Sequence, residues 1–370
     1  MRRFERIYDV VEPVEEYRPG GYHPVQLKDV LHSRYEVIGK LAFGQSSTVW
    51  AAKDRKIQRQ VALKILKADA SSENRELGIL LNLASCDLDH PGRAHVIELL
   101  DHFYHQGPNG THLCLVLPVM VSDGSSMTVS GKPHSSGYVR TICRQLLLGT
   151  IDFLHHLGIV HCDLKPANIM FSVSTNDEGF LQPPEFCPVQ WLEGVARDDS
   201  APRYLMPTQR PRGYLDNACF STLTLKIGDF GAAQWAQQCN QRPATPTALR
   251  APEIINQEKW DMNIDIWTLG CSIFELATNE PLFPLDTFGL TEAEVDQDHR
   301  SLITQRFCPI SQKDGDFPEY LQNRLHNTFG AKNKQGFASF LLFMLQLNPQ
   351  CRLSAKRLLT DLFLLDDFQG

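Results

Sequence analysis

Three parts of this sequence carry side chains suited to chemistry. The first is a lysine that closes an apolar run, Val61-Ala62-Leu63-Lys64. An ammonium on an otherwise apolar strand needs an anionic partner. Glu76, at the head of Glu76-Leu-Gly-Ile-Leu-Leu, is the first candidate, and Glu73, one turn earlier, is the second. The second part is Asp229-Phe230-Gly231, which follows Leu223-Thr-Leu-Lys-Ile. A carboxylate at a strand end beside glycine suits a hard divalent cation held against phosphate oxygens. The third is His161-Cys162-Asp163-Leu164-Lys165-Pro166-Ala167-Asn168, which gathers an acid, a base and an amide within a few residues. Asp and Asn taken singly are commonly turn formers. Their company here, in a fixed order along the chain, argues for more than a turn.

Elements of definite kinds must hold these groups. Tyr35 to Leu66 reads as short β-runs bounded by glycine or charged residues, with Lys64 on the last of them. Residues 72–84 have helical spacing through Leu77, Leu80, Leu81 and Ala84. Two more strand-like runs lie near Val96–Leu100 and His112–Leu117. Beyond Met120 the texture turns helical: 138–157 ending before Gly158, 263–279, 335–347, and 355–364 with Ser354 as its expected cap. Residues 1–33, rich in Pro and Gly, read as an extended arm. A Pro-rich, aperiodic stretch from about Ser172 to Thr222 exceeds an ordinary connection and reads as an insertion.

Composition narrows the class. Of 370 residues, 42% are hydrophobic and 21% charged, the balance of a globular protein with a large core. The formal charge of −7 argues against coating nucleic acid and permits basic protein partners. The ten cysteines form no C-x-x-C pair, so neither a zinc site nor a disulfide framework is indicated. Without a secretory signal, a cytosolic or nuclear place is expected. No run reaches the roughly 18 apolar residues of a membrane span.

The octet resembles the catalytic loop of eukaryotic protein kinases, H-R-D-L-x-x-x-N. Asp229-Phe230-Gly231 and Ala251-Pro252-Glu253 follow it in kinase order, and Val61-Ala62-Leu63-Lys64 is close to the kinase V-A-I-K strand. The resemblance runs from about Tyr35 to Phe363. It implies an α+β, bilobal protein-kinase fold with a small β-rich N-lobe (35–117) and a larger helical C-lobe (118–370), preceded by the arm (1–34). It implies ATP and Mg²⁺ as cofactors. Asp163 would accept or orient the substrate hydroxyl proton, Lys165 would neutralise the transferring phosphoryl, and Asn168 and Asp229 would hold Mg²⁺. ATP would meet Leu41, Ala42, Gly44, Val49, Ala62, Lys64 and Glu76, with a hinge at Leu117–Met120 and Leu117 as gatekeeper. Asp265 would brace the catalytic loop, and Arg352 would pair with Glu253. Only Gly44 remains of the three glycines of the nucleotide loop. Ala42 and Ser47, in the other two positions, are small enough for a hairpin backbone to approach phosphates.

Within the kinases the chain resembles the SR-protein kinases, which act on Arg-Ser repeats of splicing factors. The carriers are Gly20-Gly21-Tyr22-His23-Pro24-Val25, Ser47-Thr48-Val49-Trp50, a non-arginine Cys162 in the octet, and the insertion. The short insertion resembles that of filamentous-fungal members. The resemblance implies protein substrates rich in arginine and serine, no direct nucleic acid, no membrane, and a monomer. Asp296 and Asp298 would dock basic substrates. Two rivals stand beside this reading: a pseudokinase scaffold, and an active serine/threonine kinase of a neighbouring group. The insertion is expected on the C-lobe surface, where shortening it costs little. Activity is expected without phosphorylation of Thr245 or Thr247, since Cys162 cannot pair with a loop phosphate.

Overall fold

A computed structural model describes residues 2–7, 10–129, 134–173, 180–210, 223–239, 242–308 and 316–365. The chain forms two compact units. The first comprises Met1–Cys86, Ile97–Val121 and Thr175–Tyr214; the second comprises Asp87–Val96, Ser122–Ser174 and Leu215–Gly370. This division differs from the expected lobes in two respects: Asp87–Val96, expected in the N-lobe, falls in the second unit, and part of the insertion changes place. The 175–214 part of the insertion belongs with the first unit, not with the helical one. Positions 174–179 and 211–222 of the insertion lie outside the described residues.

The first unit is built on a six-stranded antiparallel sheet, β1 (Val30–Leu31), β2 (Tyr35–Phe43), β3 (Ser47–Asp54), β4 (Arg59–Leu66), β5 (Asp101–Gly107) and β6 (Gly110–Leu117), in the order β1-β2-β3-β4-β6-β5. Alternation along each strand sorts side chains to two faces. Register places Ala42 opposite Val49, Val49 opposite Lys64, Lys64 opposite Leu115, and Ala62 opposite Leu117, so these share one face. The other face carries Trp50, Ala52, Val61, Leu63, Ile65, Cys114 and Val116 in one buried cluster.

That cluster explains the arm and the insertion. Val25 and Leu31 from the arm side and Met206 from the insertion are buried in it, with Leu27 and Tyr204 packed against it. Tyr204 Oη accepts the Leu27 N–H at 3.0 Å. The arm's first residues also bridge the insertion, Phe4 to Trp191, with ring centroids 4.5 Å apart. An arm expected to be extended and an insertion expected on the C-lobe are therefore the lid of the sheet's hydrophobic face. Helix α1 (Arg75–Ser85) completes the unit; Asn74 caps it by accepting the Leu77 N–H at 2.9 Å.

The second unit contains α2 (Gly124–Val129), α3 (Ser136–Leu146), α4 (Pro252–Ile255), α5 (Asn263–Thr278), α6 (Glu292–Phe307), α7 (Phe317–Gln322) and α8 (Ala331–Met344). A π-helix, Leu147–Leu154, continues α3, and Gly158 near its end adopts φ +71°. α8 starts earlier than expected because its first turns are polar and carry no apolar period. The stretch expected as one helix over 355–364 is two short ones, Ala355–Leu358 and Leu362–Leu365, and Ser354 makes no capping bond. Strand Ile169–Val173 pairs with Leu223–Ile227 and with Ser122–Asp123, and Ile159–Val160 pairs with Gln234–Trp235. These two small sheets flank the octet on both sides.

Candidate active site

The octet lies between strands Ile159–Val160 and Ile169–Val173. Asp265, buried in the first turn of α5, fixes its entry. One oxygen accepts the His161 N–H at 2.7 Å and the other the Cys162 N–H at 3.0 Å, while His155 Nε2 lies 3.0 Å from the first. Two backbone donors held by one carboxylate set the turn, and Cys162 takes φ +65° there. Ser272, also on α5, donates to the Leu164 carbonyl at 2.8 Å.

Asp163 is itself held by its neighbours. Its Oδ2 accepts from Lys165 Nζ at 2.7 Å and from Asn168 Nδ2 at 3.0 Å. The Asn168 amide also donates to the Asp163 carbonyl at 2.8 Å. Both bonds use the Asn168 amide NH₂. Asp163 Oδ1 is buried and has no hydrogen-bond partner. An unpaired buried acceptor costs about 1–3 kcal/mol.

His161 joins the octet to Asp229-Phe230-Gly231. Its Nε2 lies 3.1 Å from the Gly228 carbonyl, and its ring sits 5.2 Å from that of Phe230. The Gly228 N–H in turn donates to the Asn168 carbonyl at 3.1 Å. Phe230 is fully buried, whereas Asp229 is exposed and takes φ +63°. Asp tolerates the left-handed region better than most residues. The turn leaves its carboxylate outside the core.

In the first unit, Lys64 Nζ bonds both oxygens of Glu76, at 2.7 and 2.8 Å, so Glu76 and not Glu73 is its partner. Both residues are buried. Glu73 lies before α1 at φ +47°. Lys64 shares its sheet face with Ala42, Val49, Ala62 and Leu117; Leu41 and Gly44 lie on and just past β2, and Met120 is buried beyond β6.

The expected architectural pair is present. Arg352 forks onto Glu253 at 2.6 and 2.7 Å with both side chains buried, and its guanidinium lies 5.2 Å from the Trp267 ring centroid. Two further arginines escaped the sequence reading. Arg250, next to Ala251-Pro252-Glu253, reaches Asp296 and Glu292, each at 3.1 Å. Arg242 reaches Glu292 at 2.7 Å and Asp296 at 3.6 Å. Adjacency to Ala251 was the one available signal, and it does not name a partner.

This network corrects the expectation for Asp296. It is buried and engaged by the chain's own arginines, so it is not a free docking carboxylate. Asp296 and Asp298 both lie within α6. Glu294 is committed to a capping box with Thr291. Asp298 remains exposed and lines a hollow of about 490 Å³ with Asp286, Ser301, Leu302 and Gln305.

The same network bears on activation. The Thr245 hydroxyl is buried and donates to the Cys162 carbonyl at 2.8 Å, and Arg250 Nε donates to the Thr245 carbonyl at 3.3 Å. The segment is thus tied down by Glu292 and Asp296 without a phosphate. Phosphatase-treated enzyme is expected to keep most of its rate, while Arg250→Ala lowers it. A collapse of activity on dephosphorylation, reversed by phosphorylating Thr245 or Thr247, would contradict this.

A protein kinase domain model matches residues 35–182 and 215–364, with its gap inside the insertion. The serine/threonine-protein kinase SRPK of Physarum polycephalum is 34% identical over 290 residues, covering 74% of this chain and 67% of the relative. Protein kinase dsk1 of Schizosaccharomyces pombe is 29% identical over 369 residues, covering 75% and 67%. A serine/threonine protein kinase of Aspergillus fumigatus is 30% identical over 97% of this chain and 93% of its own length. A crystallised kinase domain matches 93% of this chain and 98% of its own, with a TM-score of 0.64 and 18% identity, a likeness of fold alone.

Proposed function

We propose that this chain, which belongs to the protein kinase family and is a serine/threonine protein kinase of the SR-protein-kinase type, phosphorylates serines within arginine-rich (Arg-Ser) segments of splicing-factor proteins. The observation that carries the catalytic part is the pair of unequal oxygens on Asp163: Oδ2 saturated by Lys165 and Asn168, Oδ1 buried and unpartnered.

Mg²⁺·ATP, when bound, supplies the transferable γ-phosphoryl group. Asp163 Oδ1 would accept the hydrogen bond of a serine hydroxyl and take its proton as that oxygen bonds the γ-phosphorus and ADP leaves with the bridging oxygen. Lys165, already anchored on Oδ2, places its ammonium beside the charge that develops. Asn168 and Asp229 offer an amide and a carboxylate oxygen, hard donors that fit Mg²⁺. Lys64, oriented by Glu76, offers its ammonium to phosphate. Positioning and fixed charge do most of the work in this class of reaction.

Substrate choice is read from the second unit. Asp298 and Asp286 line the hollow beside α6, and carboxylates so placed pair well with guanidinium groups. Gln305 lines the same hollow. The enzyme would act on protein substrates as a monomer in the cytosol or nucleus, where free thiols such as its nine described cysteines persist.

Purified protein with Mg²⁺·ATP should phosphorylate an Arg-Ser peptide faster than a Lys-Ser or acidic one. Absence of both phosphoryl transfer and a Mg²⁺·ATP thermal shift would return the pseudokinase scaffold. The double change Asp286→Lys with Asp298→Lys should raise KM several-fold for a long Arg-Ser substrate and spare a short serine peptide. The loss should shrink with salt, since exposed charges are screened over about 8 Å at physiological ionic strength. Equal effects on both substrates would remove the hollow from substrate choice.

A further inference from the structure

The turn between β2 and β3 is poor in glycine, and three segments distant in sequence hold it. Gly44, Gln45 and Ser46 at its tip are exposed. From the arm, the Tyr22 hydroxyl donates to the Gly44 carbonyl at 2.6 Å. Tyr22 is buried, its ring lies 5.5 Å from that of Tyr17, and Lys67 Nζ stands 4.3 Å from its centroid. The Lys67 N–H donates to the Ser46 carbonyl at 2.8 Å.

The strand leading into the turn is gripped as well. Lys40 stands opposite Trp50, on the packed face of the sheet, where an ammonium needs an anion. Glu12 of the arm supplies it; both side chains are fully buried, and the Tyr17 hydroxyl donates to Glu12 at 2.6 Å. From the insertion, Gln209 takes the backbone of the same residue: its N–H donates to the Lys40 carbonyl at 2.8 Å, and its Oε1 accepts the Lys40 N–H at 2.9 Å. Arg210 Nε donates to the Leu41 carbonyl at 3.1 Å. On this edge of β2, β1 pairs with Tyr35 and Glu36, and Lys28 and Asp29 bond the Val37 backbone; the insertion takes the edge further along, at Lys40 and Leu41.

We propose that the arm and the insertion act as one clamp that pre-positions residues 42–47 for nucleotide, with Tyr22 and Gln209 as its positioning residues. The proposal rests on the kinase reading above. A free hairpin tip loses backbone freedom at each residue when it closes on phosphates. Fixing the tip beforehand removes part of that cost from binding. A clamp replaces the glycines' freedom with a pre-set conformation, which Ala42 and Ser47 can hold.

The test uses the full chain with Tyr22→Phe, which deletes one hydroxyl, and Gln209→Ala. In nucleotide-free protein, amide exchange across residues 42–48 should quicken about fivefold in each variant, the scale of one net hydrogen bond. The dissociation constant for Mg²⁺·ATP, by calorimetry, should rise by a similar factor, while KM for peptide stays within twofold. Tyr204→Phe is the control. It removes the bond to Leu27, should lower the melting temperature, and should leave loop exchange unchanged. Unchanged loop exchange in both variants, or an equal response in Tyr204→Phe, overturns the clamp. Wild-type protein that fails to bind Mg²⁺·ATP sinks the kinase reading instead, and the exchange data still decide the clamp.

Discussion

Asp163→Asn should lower kcat by about 10²–10⁴-fold, the usual worth of a positioned general base, while Mg²⁺·ATP binding and the melting temperature stay near wild type. The geometry supplies the reason. The two donors on Oδ2, from Lys165 and Asn168, require an acceptor there. The asparagine amide must therefore turn its oxygen toward them. Its NH₂ then occupies the place of Oδ1, the unpartnered atom. A donor would face the serine hydroxyl where an acceptor is needed, and no proton could be taken. The fold should not suffer, because the brace from Asp265 engages backbone N–H groups rather than this side chain. Single-turnover kinetics with a separate nucleotide-binding measurement check this. A variant with wild-type turnover would remove Asp163 from the chemistry, and one that fails to bind nucleotide would show the effect to be structural.

What the sequence made legible was local or tied to fixed spacing. The octet could be read because its acid, base and amide lie within one turn and bond to one another. Lys64 could be read because an ammonium on an apolar strand demands an anion, although the choice between Glu76 and Glu73 needed the helix start at Arg75. Long-range pairings were legible only where a family pattern supplied them, as for Glu253 and Arg352. Asp296 shows the limit. Its arginine partner Arg250 lies 46 residues away, so composition counted a carboxylate as free that the fold had already used. The arm and the insertion were hidden for another reason. They add single side chains, Val25, Leu31 and Met206, to a core that other strands define. Such contributions leave no period of 2 or 3.6 to find.

The insertion therefore should not tolerate removal. Two positions within it meet: the Gln182 N–H donates to the Gln209 carbonyl at 2.8 Å, and Gln209 Nε2 donates to the Gln182 carbonyl at 2.6 Å. Residues 183–208 can thus be replaced by a two- or three-residue turn without stretching the chain, and any loss reports the missing contacts. That variant should melt many degrees lower or fail to fold, since it uncovers the face formed by Trp50, Leu63 and Val116. Single changes should grade accordingly. Met206→Ala removes a fully buried side chain and should cost about 2–5 kcal/mol. Phe186→Ala, on a half-exposed ring that touches Tyr204, should cost less than about 1.5 kcal/mol, the scale of one aromatic pair. Chemical denaturation of the three proteins gives the order directly. If the shortened chain unfolds at the wild-type midpoint, the insertion is an ornament on a self-sufficient sheet. If Phe186→Ala is as damaging as Met206→Ala, stability comes from the insertion's own packing rather than from its hold on the sheet.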